Sequence, residues 1–244
     1  MSSEVSIIIP TLNESSFLKK TLDNLALIDP PPKEIIVVDG GSQDDTVEIA
    51  RRANIPVSIS SKPGRSIQMN LGAKAARGNF LCFVHADTIV PHDLTILIEK
   101  TLSDRTIACG GFISLMNGRE RTRWGISLHN YLKTYYAPLI FRPHLFFRGL
   151  RILFGDQVIF CRRRDFEDCG GFDISLPIME DADICMKLLR YGKTSLLNRV
   201  VLSSDRRVAK WGWFKANAIY LCIGCLWGLG VPATYLKQFY EDIR

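Results

Sequence analysis

The chain has 244 residues, 47% hydrophobic and 23% charged, which supplies a full core and excludes an intrinsically disordered protein. Its net charge of +6 favours anionic ligands such as phosphates or lipid headgroups. No helix-turn-helix, zinc-finger or RNA-recognition signature accompanies that charge, so a nucleic-acid partner is not expected.

The first hundred residues alternate apolar runs with amphipathic ones. Residues 5–10, VSIIIP, read as a strand ended by Pro10, and 14–28 as a helix with Phe17, Leu18, Leu22, Leu25 and Ala26 on one face. EIIVVD is a buried strand ending at Asp39. SQDDTVEIARRA is a helix with Ser42 as its cap, acids first and bases last. A short strand, VSIS, precedes a helix that opens at Arg65. FLCFV is the next strand, and HDLTILIEKTL the next helix. Strands alternating with helices across short loops predict βαβ units and a mainly parallel sheet.

Beyond about residue 105 the pattern is mixed. A longer strand, IACGGFISLM, leads into a helix with a wide aromatic face that should end near Pro138. QVIFCRR is a strand, RDFEDCGGF a short helix closed by Gly170 and Gly171, and EDADICMKLLRYG a helix that opens with acids. SLLNRVVLSS is the last strand, and past Asp205 the chain reads as helical. Phe214 to Pro232 is apolar but broken by Asn217 and three glycines. It is marginal for a span, which needs about 20 apolar residues. Packing on the main domain, contact with a membrane surface and a true span are the three readings. Basic residues gather at 119–123, at Arg142, Arg148 and Arg151, at 162–164, and at Arg206, Arg207 and Lys210. The seven cysteines are scattered, mostly in apolar runs, as suits reduced core thiols in a cytoplasmic protein. The chain opens on a strand without a basic leader, and no signal peptide is expected.

Candidate chemistry collects where strands should end. The run Phe80 to Val84 stops at His85, Ala86 and Asp87, and Asp39 ends another strand. Ligands of open α/β sheets bind beyond such carboxyl ends, so both carboxylates face one crevice if their strands are neighbours. DGGSQDDT places two glycines ahead of a helix and allows close approach to a phosphate. There is no GxGxxG and no Walker motif, which disfavours a dinucleotide dehydrogenase or a P-loop enzyme.

Five segments in order carry a resemblance: VSIIIPTLNES, IIVVDGGSQDDT, GRSIQMNLGAKAARGNFLCFVHADT, GDQVIFCRRRDFEDCGGFD and IMEDADICMKLLRYG. Together they resemble the family 2 glycosyltransferases of the GT-A fold over roughly the first 205 residues. HADT, GDQ, MED and SSDRR resemble one bacterial subfamily, often labelled arsenosugar-biosynthesis-associated or carotenoid-type. The resemblance implies an α/β GT-A fold, a Rossmann-like, mostly parallel mixed sheet flanked by helices. It divides the chain into a glycosyltransferase domain, 1–204, and a helical C-terminal segment, 205–244. The nucleotide half would be 1–105 and the acceptor half 106–204.

It further implies an inverting transfer of a sugar from a nucleotide-diphosphate donor, expected to be a UDP-sugar, to the hydroxyl of a small-molecule or lipid acceptor. Mg²⁺ or Mn²⁺ would offset the charge of the leaving diphosphate. The family's acidic metal element reads His85-Ala86-Asp87 here, which leaves Asp87 as the metal carboxylate and His85 for the ribose or diphosphate. Pro10, Thr11, Asn13, Glu14, Asp39 and Arg65 would bind the nucleotide. Asp181 would be the general base, with Glu180 beside it. Gly155, Asp156 and Gln157 would line the sugar or acceptor pocket, and Arg206 and Arg207 would close over the diphosphate. Such a protein would work in the cytoplasm, in peripheral contact with the inner face of the membrane. Two other readings are a degenerate, non-catalytic scaffold and a sugar-nucleotide nucleotidyltransferase. The latter wants a glycine-rich basic loop after the first strand, where this chain has PTLNESS.

Overall fold

The structure is a computed structural model that describes residues 3–118 and 122–240. Arg119 and Arg121 of the basic cluster, and 241–244 of the C-terminal segment, lie outside the described residues.

Among the described residues eight strands form one sheet: β1 Val5–Thr11, β2 Glu34–Asp39, β3 Val57–Ile59, β4 Phe80–Phe83, β5 Thr88–Ile89, β6 Ile107–Asn117, β7 Phe160–Arg162 and β8 Lys193–Ser204. Their order is β3-β2-β1-β4-β7-β6-β8-β5. The β3-β2-β1-β4 half is parallel, as the βαβ pattern predicts. β7 runs antiparallel between β4 and β6, β6 pairs parallel with β8, and β5 closes the edge antiparallel to β8.

Alternating side chains send β1 into two cores. Ile8 packs with Val38, Met69 and Phe83 on one face. Ile7 and Ile9 pack with Leu18, Leu22, Leu94 and Ile98 on the other. The helices α1 Ser15–Leu25, α2 Thr46–Arg52, α3 Arg65–Ala75 and α4 Leu94–Ser103 cover these faces. Gly72 lets α3 lie against β1, since a Cβ there would collide with the Ile8 side chain.

Three sequence expectations shift. β1 does not stop at Pro10 but continues to Thr11. The last pair to β4 is Ile8 with Phe83, so Pro10 points past the end of β4 and its missing N–H breaks no ladder bond. α2 starts at Thr46, not after Ser42, because the Ser42 hydroxyl is taken up by Asp39 and by the Asn13 N–H. The aromatic helix, α5 Trp124–Phe141, passes through Pro138. The carbonyl of Thr134, which Pro138 cannot reach, accepts the Ile152 N–H at 3.3 Å instead.

Short helices α6 Pro143–Phe147 and α7 Arg163–Asp168 follow, then α8 Glu180–Leu188. After β8 come α9 Arg206–Trp211, α10 Trp213–Gly228 and α11 Ala233–Leu236. α10 lies beside α5 and runs parallel to it. Gly125 abuts Trp213, His129 Nδ1 meets Asn217 Oδ1 at 2.7 Å, and Arg142 donates to the Gly228 carbonyl. Among the described residues no helix is long and apolar enough to cross a membrane. The seven cysteines are free thiols; Cys82, Cys109, Cys161 and Cys185 are buried, whereas Cys222 is exposed.

Candidate active site

A cavity of about 850 Å³ opens beyond the carboxyl ends of β1 and β4. The loop after β1 contributes Pro10, Thr11 and Glu14, and the head of α3 contributes Arg65. His85 and Asp87 come from the β4–β5 turn, and Gly155 and Asp156 from the approach to β7. The head of α8 supplies Glu180 and Asp181, and the head of α9 supplies Arg206 and Arg207. Twelve of the residues picked out in the sequence thus meet around one space.

Asn13, Asp39 and Gln157 stand behind its wall. Asp39 is buried, and its carboxylate accepts the N–H groups of Gly41 and Ser42 and the hydroxyls of Thr11 and Ser42. These bonds shape the Gly40–Gly41 turn, which does line the cavity. The crevice expected between Asp39 and Asp87 does not form across neighbouring strands, because β1 separates β2 from β4. Asn13, in the left-handed region at φ 56°, accepts the Gln43 N–H and clasps the first two βα loops together. Gln157 accepts the Phe154 N–H and donates to the Thr134 hydroxyl within the protein interior.

Arginines hold the acids of the cavity. Arg206 makes a two-pronged pair with Glu14, at 2.7 and 2.6 Å, and lies 3.4 Å from Asp87 Oδ2. Arg65 Nε stands 2.7 Å from Glu180 Oε1, and its Nη1 lies 3.3 Å from His85 Nε2. Arg207 stacks 4.4 Å over the Tyr240 ring. Burial, then the nearby Arg65, Arg206 and Arg207, push the His85 imidazole well below its ordinary range. His85 is therefore neutral near pH 7, and an Arg65 N–H can donate to its Nε2 when the ring proton sits on Nδ1.

Burial raises the Asp87 carboxyl to about 6, against the pull of Arg206. Burial, followed by repulsion from Glu180, raises Asp181 to about 7, although Arg65 and the Gly155 N–H oppose this. Asp181 Oδ2 accepts that N–H at 2.9 Å, while Oδ1 is buried and unpartnered among the described residues. A carboxylate with a vacant oxygen and a proton affinity near neutrality is equipped to accept a proton from a bound alcohol.

Lys133 and Asn130 of α5 also line the cavity, beyond the residues expected from the sequence. Burial pulls the Lys133 ammonium down to about 8, with Asp156 and Asp181 working against it, and it lies 3.6 Å above the Phe154 ring. Asn130 donates to Asp156. The available signal was a lone lysine within the aromatic run LHNYLKTYYAPLIF.

Among the described residues no three His, Cys, Asp or Glu side chains are grouped to hold a metal ion. Such ions also bind through one or two carboxylates, with substrate phosphates and water completing the shell. Asp87, facing the cavity beside Glu14, fits that shared arrangement.

Residues 6–170 match the model of glycosyl transferase family 2. The pre-mycofactocin glycosyltransferase of Mycobacterium tuberculosis is 25% identical over 89% of this chain and 46% of its own length. An uncharacterized glycosyltransferase of Rickettsia bellii is 25% identical over 98% of this chain and 34% of its own. The chain thus spans less than half the length of these two relatives. The mannosyltransferase PcManGT of Pyrobaculum calidifontis, solved with GDP-Man and Mn²⁺, superposes over 100% of this chain and 66% of its own, with a TM-score of 0.68 and 19% identity. Glucosyl-3-phosphoglycerate synthase of Mycobacterium tuberculosis, solved with Mn²⁺, UDP and glucosyl-3-phosphoglycerate, covers 94% of this chain and 81% of its own, with a TM-score of 0.63 and 22% identity. The sheet and its flanking helices therefore have the GT-A fold, as the sequence resemblance implied. With more than half of its length matched, the chain belongs to glycosyl transferase family 2.

Proposed function

We propose that the protein is an inverting glycosyltransferase that moves a sugar from a UDP-sugar to the hydroxyl of a small-molecule or lipid acceptor, on the cytoplasmic side. The observation that carries this reading is Asp181. It stands at the head of α8 with one oxygen fixed by Gly155, the other unpartnered, and a carboxyl held near pH 7.

In the transfer, Asp181 takes the proton of the acceptor hydroxyl as its oxygen bonds to the sugar anomeric carbon. The bond from that carbon to the diphosphate breaks on the opposite side, and its electron pair leaves with the diphosphate. One displacement inverts the carbon. Arg65, Arg206 and Arg207 line the cavity and are placed to meet the negative charge that develops. Neutral His85 offers the diphosphate or ribose a hydrogen bond without adding charge. Asp87 would hold Mg²⁺ or Mn²⁺, whose positive charge would assist departure of the diphosphate. Asp156 and Asn130 present hydrogen-bonding groups to sugar or acceptor hydroxyls. The resident pair of Arg206 with Glu14 and Asp87 must loosen for the guanidinium to turn to a phosphate.

The glycosyltransferases solved with Mn²⁺ and a nucleotide support the donor class. A carotenoid acceptor, suggested by the subfamily resemblance, is one candidate of the expected kind. The test is calorimetry with UDP and Mn²⁺, followed by mass spectrometry after incubation with a panel of UDP-sugars and a lipid extract. Metal-dependent UDP binding and a hexosylated product are expected. Absence of metal-dependent nucleotide binding would instead support the scaffold reading.

A further inference from the structure

α5 and α10 present apolar side chains to the outside as well as the inside. On α5, Trp124, Leu128, Leu132 and Leu139 recur at helical spacing and are all exposed, Trp124 by 68%. On α10, Phe214 and Leu221 lie seven residues apart on the outer side, and Phe214 is 79% exposed. Phe147 of the adjoining α6 is 80% exposed. Scattered exposed apolar residues need no explanation, but a continuous face over neighbouring helices marks an interaction surface.

Charge selects the partner. Of the basic residues on and around these helices, Lys133, Arg206 and Arg207 turn into the cavity, and the outward charge comes from others, with no acid in 206–240 to offset it. Lys210, Lys215 and Arg148 are exposed around the apolar face. A second copy meeting this face through a two-fold axis would bring like charges together. An anionic bilayer instead matches both parts, taking the apolar side chains at the headgroup boundary and the lysines and arginines among the headgroups. Each basic residue near such a surface contributes about 1 kcal/mol.

The same two helices wall the active site. A narrow apolar crevice of about 30 Å³ between them shares Lys133, Phe154 and Tyr220 with the main cavity. We propose that the α5–α10 face seats on an anionic membrane surface and that the acceptor is an amphiphile resident there. Its hydroxyl end enters beside Asp181, and its apolar part stays in the lipid. The acceptor clause rests on the glycosyl-transfer reading; the docking clause stands without it.

The test uses the full chain and vesicles of phosphatidylcholine, alone or mixed with phosphatidylglycerol. Co-sedimentation is expected with the mixed vesicles at low salt, weaker with the neutral ones, and reversed by salt. Trp124→Ser with Phe214→Ser should weaken binding at least about tenfold, with an unchanged circular dichroism spectrum and unchanged UDP affinity by calorimetry. Lys210→Glu with Lys215→Glu should remove the preference for anionic lipid. No sedimentation with the mixed vesicles at low salt overturns the proposal. So does a stable dimer in analytical ultracentrifugation that Phe214→Ser dissolves, which would assign the face to a second copy. If vesicles bind but UDP does not, glycosyl transfer fails and docking survives. If UDP binds and the glycosylated product partitions wholly into water on chloroform extraction, the acceptor clause fails alone.

Discussion

Replacing Asp181 with asparagine separates the proposed chemistry from stability, because the burial that raises its carboxyl also strains the fold. The carboxyl is held at about 7, against 3.8 as its ordinary value. Below about pH 4 the group is protonated both in the folded and in the unfolded chain. Between about pH 4 and 7 the unfolded chain releases this proton while the folded one keeps it, so folded stability falls as pH rises. The interval corresponds to about 4 kcal/mol of destabilisation above pH 7. An amide avoids that cost and can still accept the Gly155 N–H. Its NH₂ group, however, occupies the place of an oxygen that has no partner, at a cost of about 1–3 kcal/mol. Asp181→Asn should therefore be about 1–3 kcal/mol more stable than the parent at pH 8 and no more stable near pH 4. The same variant cannot accept a proton, so turnover should fall by about 10²–10⁴. Parent turnover should rise with pH through about 7, as Asp181 ionises, and the residual rate of the variant should lack that limb. Urea titration at two pH values and UDP release across the pH range measure both effects. A variant within a few-fold of parent activity, or one less stable at pH 8 than at pH 4 relative to the parent, refutes the reasoning.

Asp87→Ala should abolish the manganese-dependent part of UDP binding in calorimetry, with a smaller loss for His85→Ala; retained turnover of Asp87→Ala at limiting manganese would remove Asp87 from the metal site. Arg206→Ala leaves Glu14 and Asp87 together without their cation, and should destabilise the protein by about 3 kcal/mol. Manganese should then recover part of the melting temperature of that variant and less of the parent's, since the ion would replace the lost charge. Lys133→Met removes a cation near Asp181, so the Asp181 anion becomes harder to form. The acid limb of the rate profile should move to higher pH, and an unmoved limb with intact turnover would show that Lys133 does not reach the base.

Local order was legible where it depended on a local pattern. The parallel half of the sheet followed from β-branched runs spaced by amphipathic helices, and EIIVVD forms β2 with the expected ends. Boundaries slipped where a distant group intervened. Ser42 looked like a helix cap, but Asp39 and Asn13 claim its hydroxyl. Pro138 looked like a stop, but Ile152 satisfies the carbonyl that proline leaves free. The two-residue strand β5 was invisible, since Thr88–Ile89 gains strand geometry only by pairing with Leu202 and Ser203.

The candidate site divides along the same line. The positions of Asp87 and Asp181 as candidates are legible in the sequence through the family resemblance of HADT and MED. Their proton affinities were not legible, because these depend on what the fold brings close. Arg206 reaches Glu14 from 192 positions along the chain, and Arg65 and Glu180, 115 apart, meet at the heads of two helices. This wiring gives the arginines a consequence beyond charge balance. In the structure they neutralise the acids that would otherwise repel one another inside the cavity. A bound diphosphate competes with those acids for the same guanidinium groups. As Arg65 turns to phosphate, Glu180 loses its counterion and Asp181 loses one of the charges that hold its carboxyl down. If Asp181 is the base proposed above, donor binding should thus raise its proton affinity when the acceptor hydroxyl needs it, and lift the pH at which transfer sets in. The pH limb of kcat, which reports the donor-bound enzyme, should accordingly lie above that of kcat/KM for the donor, which reports the free one. Coincident limbs would mean that Arg65 keeps Glu180 throughout the cycle.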